Sequence, residues 1–180
     1  MLAWMAVGEV RPGYELWRPN REKAQSVTTK AVIVLLLLAT AAICGIVTIG
    51  GWTLLLGGTG MGIGCIIFVL LYVLFAIRVA QWSRGILPVA AALSILLLIF
   101  AAVGAPSWFA RDKSGFSTAL LPDALIGLLL VILIPLQVLV ITVAMIGFNQ
   151  EWQVEEERPI GSGEDYGAEP PPDPDAPQPA

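Results

Sequence analysis

Four uncharged apolar runs constrain this chain more than any other feature: residues 31–56, 63–77, 86–105 and 124–148 contain no Asp, Glu, Lys or Arg. A helix needs about 20 apolar residues to cross roughly 30 Å of hydrocarbon, and each run is near that length if the second extends past Arg78. A soluble protein of 180 residues has room for one buried helix of this kind, not four spread over most of its length. Only 13% of the residues are charged, about half the share in ordinary soluble domains. Helices are the expected spanning element, because lipid offers backbone groups no partner outside the helix itself. The runs do not alternate in polarity, as the strands of a membrane barrel would.

The sequence therefore predicts an all-α polytopic membrane protein, a bundle of four transmembrane helices followed by a disordered, acidic, proline-rich C-terminal tail. Residues 1–29 read as a basic N-terminal arm. Residues 30–148 form the membrane domain, with spans at about 30–56, 63–82, 86–105 and 120–148. Residues 149–180 form the tail. The apolar opening Met1–Val7 is cut short by Glu9 and Arg11, so a cleavable signal is not expected and the first span reads as a retained signal anchor.

The Gly-rich segment Gly57-Gly58-Thr59-Gly60-Met61-Gly62 predicts a tight turn between spans one and two. It lacks the Lys and the preceding strand that a phosphate-binding loop requires. Gly45 and Gly50-Gly51 are candidate bends in span one, and Pro106-Ser107 is expected to stop span three. Leu121-Pro122-Asp123 opens span four, with Asp123 complementing the helix dipole. Trp82, Trp108 and Trp152 fall at span ends, where indoles commonly anchor in the interface.

Basic residues orient the bundle. With a cytoplasmic N-terminus, that side holds Arg11, Arg18, Arg21, Lys23, Lys30, Arg78, Arg84 and Arg158, against Arg111 and Lys113 opposite. The bias predicts a cell-membrane protein with both termini cytoplasmic. The tail changes character: residues 151–180 hold nine acids, one Arg and seven of the chain's thirteen prolines, which predicts an extended segment. It reads as a solvating tail or a docking segment for a cytoplasmic partner, and the single PxxP spacing from Pro174 to Pro177 selects no ligand class.

Within the spans, Gln137 is the polar residue that most invites a role, near the middle of span four and two residues after Pro135. A bond to a neighbouring helix or to a carbonyl freed by the proline is the expected use, with a substrate path involving Thr142 as the alternative. Ala41 to Gly45 and Ala101 to Ala105 are small-xxx-small pairs that permit close helix approach. Cys44 and Cys65 read as small buried thiols with no disulfide, and Met61 and Met145 as packing residues. The chain has no His, which removes the usual zinc, haem and serine-hydrolase sets. Ser107, Ser114 and Ser117 have no evident base beyond Lys113, and no paired acids sit deep in a span. No catalytic residue, cofactor or metal ligand is predicted, and no nucleic-acid partner.

The expected partners are the lipid bilayer, the anionic head groups near Arg18, Arg21, Lys23 and Lys30, and a larger integral membrane protein or a second copy of the chain. These features favour a small accessory or assembly subunit over an enzyme. The competing expectation is an oligomeric small-solute transporter or channel component.

Overall fold

The computed structural model describes residues 10, 13–55, 61–111, 113, 115 and 119–161. Their order is β1 (Tyr14–Trp17), α1 (Pro19–Glu22), α2 (Ala24–Gly50), α3 (Trp52–Leu55), α4 (Met61–Ala80), α5 (Ile86–Arg111), α6 (Asp123–Asn149) and β2 (Glu156–Pro159). The four long helices are each long and apolar enough to cross a membrane, so the all-α polytopic architecture stands. The four long helices belong to one compact unit, residues 20–153, and the two strands to a second unit.

In the helical unit α5 packs most extensively on α6, α2 packs on both α4 and α6, and α4 meets α5 lightly. The order around the bundle is thus α4–α2–α6–α5, with α4 and α6 on one diagonal. Small buried residues explain the closest pair: Ala90, Ala91, Ser94, Ala101 and Ala105 line the inner face of α5, and Gly127, Ala144 and Gly147 that of α6. A Cβ on Gly127 would lie 3.1 Å from the Phe109 ring, and one on Gly147 would lie 3.0 Å from Ile33. Without a hydrophobic force between helices in lipid, such close approach is what holds them. Both members of the Ala101–Ala105 pair are buried, whereas Ala41 faces inward and Gly45 sits half-exposed with nothing within 4 Å of its Cβ direction.

Several span limits differ from the sequence reading, most of all in α2 and α5. α2 begins at Ala24 rather than near residue 30, its first turns carrying Gln25, Ser26, Thr28, Thr29 and Lys30. At 27 residues it measures about 40 Å, so these polar turns extend past the hydrocarbon. Its end is Gly50, and Gly51 forms the cap before the short α3. Pro106 does not stop α5, which runs on to Arg111. Proline is tolerated inside membrane helices, and the residue after it, Ser107, donates its hydroxyl to the Val103 carbonyl of the same helix at 3.4 Å. The glycines at 57–60 lie outside the described residues, while Gly62 and Gly64 stand inside α4.

The two bundle ends are fastened differently. At the loop end, the Gly50 carbonyl accepts from the backbone N–H groups of Leu120 (2.9 Å) and Leu121 (3.2 Å), and Gly51 packs against the Trp108 indole. At the other end, residues 150–152 fold back onto the helices. Trp152 is fully buried, edge-on to Trp82 at 5.3 Å, and its indole N–H donates to Gln150. Gln150 reaches Thr29, Asn20 donates to the Glu151 carbonyl, and Arg21 donates to the Trp152 carbonyl. Lys30 lies 3.9 Å above the Trp82 ring, and Arg84 holds the Phe148 carbonyl at 2.7 Å. Trp152 is therefore a packing residue of the bundle rather than an interface anchor, because the αL conformation of Glu151 (φ 51°) turns the chain inward immediately after α6.

In the second unit, β1 and β2 pair antiparallel with Glu15 opposite Arg158 and Leu16 opposite Glu157. Arg158 donates to Glu15 at 2.7 Å and lies over the Trp17 ring, and Arg18 donates from both Nε and Nη2 to one carboxylate oxygen, Oε1, of Glu155. Residues 149–161 are thus ordered by α6, Trp152 and this ribbon, unlike the extended reading given to the tail as a whole. Pairing answers the charge pattern: the one Arg among nine acids meets an N-terminal acid, and an N-terminal Arg meets one of the acids. Residues 162–180, with Pro170 to Pro177, lie outside the described residues.

Candidate functional site at the centre of the bundle

Each long helix contributes one hydrogen-bonding side chain near mid-length, and the four meet. Gln137 of α6 is fully buried and bonds two other helices: its amide oxygen accepts from the Tyr72 hydroxyl at 2.8 Å, and its amide nitrogen donates to Thr40 Oγ1 at 3.2 Å. The Ser94 hydroxyl lies 3.1 Å from the Tyr72 oxygen. Thr40 Oγ1 lies 2.9 Å from the Leu36 carbonyl and donates to it.

Donor and acceptor counts fix the direction of this chain. A tyrosine hydroxyl has one proton, committed here to Gln137, so Ser94 must donate to Tyr72. The order runs Ser94 to Tyr72 to Gln137 to Thr40 to the Leu36 carbonyl, through α5, α4, α6 and α2. Every link points the same way, an arrangement in which neighbouring bonds polarise and strengthen one another. None of the four side chains is exposed: Thr40, Tyr72, Ser94 and Gln137 are each at 0%. The network is closed within the helical unit. It fixes the register of four helices.

Gln137 takes the interhelical option of the two expected for it, bonding α2 and α4 side chains rather than a carbonyl freed by Pro135. Thr142 does not join it. That residue faces outward and its hydroxyl donates to Val138 on its own helix. Thr40, Tyr72 and Ser94 went unremarked in the sequence, although a signal was present: each is the hydrogen-bonding residue nearest the middle of its run, at a depth matching Gln137.

Toward the loop end, the network gives way to an apolar cavity of about 330 Å³ between α4 and α5. Its cause is legible in α4, where Gly62 is buried and then nothing until Tyr72. Cys44 and Cys65 are free thiols that share this cavity. Asp123, at the first turn of α6, is 8% exposed. Ser107 is exposed on α5, and Ser114 and Ser117 lie outside the described residues. Among the described residues, no group of three or more His, Cys, Asp or Glu gathers to hold a metal ion.

Comparison with known proteins finds no matching family model, no matching curated protein and no matching solved structure.

Proposed function

We propose that this chain is a small accessory or assembly subunit of the cell membrane, which packs against a larger integral membrane protein and keeps both termini in the cytoplasm. The observation that carries this reading is the inward consumption of polarity. Thr40, Tyr72, Ser94 and Gln137 bond one another, and the outward Thr142 is satisfied by its own helix. Apart from Thr142, what faces outward at mid-span is apolar on every long helix, as at Leu35, Leu70, Ile99 and Leu139. A transporter needs polar groups accessible along its substrate path, commonly with ionisable groups to couple ions. A packing subunit needs a rigid bundle and an apolar exterior.

The outer face of α2 supplies a candidate contact. Ala39 and Ala42 are exposed and Gly45 is half-exposed, a patch of small side chains where another helix can come close. The cytoplasmic placement rests on Arg21, Lys23, Lys30, Arg78 and Arg84, which lie toward the bundle end where α2 begins and α6 finishes.

The test is gentle solubilisation from native membranes, affinity capture of the intact chain, and crosslinking mass spectrometry with stoichiometry. The reading expects a reproducible complex with a larger membrane protein that Ala42→Trp disperses and a bulky change at Leu139 does not. A homogeneous particle of this chain alone, with solute flux in proteoliposomes that Gln137→Leu abolishes, sinks it in favour of the oligomeric transporter or channel.

A further inference from the structure

We propose that the cleft between α4 and α5 is a binding site for one acyl chain of a bilayer phospholipid. This site is separate from the α2 patch, and it stands whether or not the chain has a protein partner.

The cavity exists because α4 and α5 part in their loop-end halves. From α4 it is lined by Gly64, Cys65 and Phe68, and from α5 by Phe100 and Gly104, with Leu133 of α6 behind. A Cβ at Gly64 would meet nothing within 4 Å, so bare backbone borders open space there. Phe68 and Phe100 meet edge to face at 5.9 Å and bridge the cleft.

Three observations choose the occupant. First, the lining is aliphatic, aromatic and thiol, with no carboxylate, ammonium or guanidinium among its side chains. Water needs two to four polar partners to stay in a cavity, and an apolar void of roughly 150 Å³ stays dry and takes up benzene instead. At about 330 Å³ this cleft is larger still. Second, the polar network beside it offers no free hydroxyl to a polar ligand: the Tyr72 proton goes to Gln137, and Ser94 donates to Tyr72. Third, two lining residues lie on the outer surface, Met61 at 60% and Phe100 at 53% exposed. The cleft is thereby continuous with the lipid-facing surface and opens sideways. The medium on that side is phospholipid hydrocarbon, and with no basic residue in the lining, recognition falls on the chain and not on the head group.

The experiment reconstitutes the full chain in vesicles containing phosphatidylcholine with a diazirine midway along one acyl chain, followed by photolysis and peptide mapping. Labelling is expected to concentrate on residues 61–68 and 97–104, above that of lipid-facing Leu35 and Leu139. Gly64→Leu and Met61→Trp, which fill the cleft from two positions, should each reduce it to the level of those reference residues. Size exclusion and circular dichroism report whether each variant keeps its fold, and the wild-type label map stands without either. Even labelling over all lipid-facing positions, unchanged by folded Gly64→Leu protein, overturns the proposal. So does displacement of the label by free oleic acid or by an isoprenoid alcohol at levels where excess unlabelled phosphatidylcholine has no effect, since the occupant is then a different lipid.

Discussion

The Tyr72 hydroxyl donates to the Gln137 side-chain carbonyl at 2.8 Å, and this bond joins α4 to α6 across the diagonal of the bundle. Those helices share no extensive face, because α2 stands between them on one side and α5 on the other. Cutting the diagonal should therefore loosen α4, whose loop-end half is already poorly packed. Gln137→Leu leaves a buried phenol without its acceptor and is expected to destabilise the bundle by about 1–2 kcal/mol. Tyr72→Phe should cost a similar amount, and the double variant less than the sum, with a coupling of about 0.5–1.5 kcal/mol. Steric-trapping unfolding in bicelles measures all three. Strict additivity would mean that the two side chains do not act as one bond.

How much of this was written in the sequence divides along physical lines. The four spans were legible because lipid enforces long uncharged runs, a constraint that needs no knowledge of packing. Gln137 was legible as an interhelical donor because an amide in hydrocarbon must find a partner. Its partners were harder to name: Thr40 and Ser94 commonly satisfy themselves on their own helix, and Tyr72 is usually counted with the apolar residues. Span ends were misjudged where a local rule met tertiary support. Pro106 reads as a stop, yet α5 continues, packed at Phe109 against Gly127. The fold-back at Trp152 and the pairing of Arg158 with Glu15 join residues more than 100 positions apart, which no local pattern announces.

Glycines at the loop end should divide sharply in their response to a methyl group. A Cβ on Gly50 would fall 2.5 Å from Leu121 Cδ1 and 3.1 Å from its Cβ. Rotating the leucine cannot relieve the second contact, and Leu121 is also tied by its N–H to the Gly50 carbonyl. Gly50→Ala is expected to cost about 1–3 kcal/mol, as overpacking does elsewhere. Gly64→Ala meets open space in a helix and should be neutral or gain up to about 1 kcal/mol from helix propensity. Thermal denaturation followed by size exclusion ranks the two, and equal losses would contradict the loop-end packing.

The turn that sends Trp152 inward is made by a residue poorly suited to it. Glu151 sits at φ 51°, where a side chain costs about 1–2 kcal/mol that glycine does not incur. Its side chain is exposed, and its useful contact is a backbone carbonyl that accepts from Asn20. Glu151→Gly keeps that carbonyl. After the entropy that glycine adds to the unfolded chain, a net stabilisation of about 1 kcal/mol or less is expected. Glu151→Ala keeps the strained conformation and should show no gain. A gain from alanine equal to that from glycine would place the benefit in the lost charge instead.

Pairing of the two chain ends makes a topological statement that does not depend on counting spans. Glu15 and Arg158 are direct cross-strand partners, so cysteines at those two positions have Cβ atoms within disulfide reach. In a background where Cys44 and Cys65 are replaced by alanine, Glu15→Cys with Arg158→Cys should oxidise to an intramolecular disulfide, seen as a reducible mobility shift. Leu16→Cys with Arg158→Cys is the matched control: Leu16 pairs with Glu157, and neighbouring strand residues point to opposite faces. The control should crosslink far less. Four spans return the chain to the side it started from, and an odd number would leave these residues on opposite sides of the bilayer. Efficient crosslinking of the first pair alone thus supports both the strand register and the even number of crossings, and failure of that pair in well-folded protein removes the ribbon.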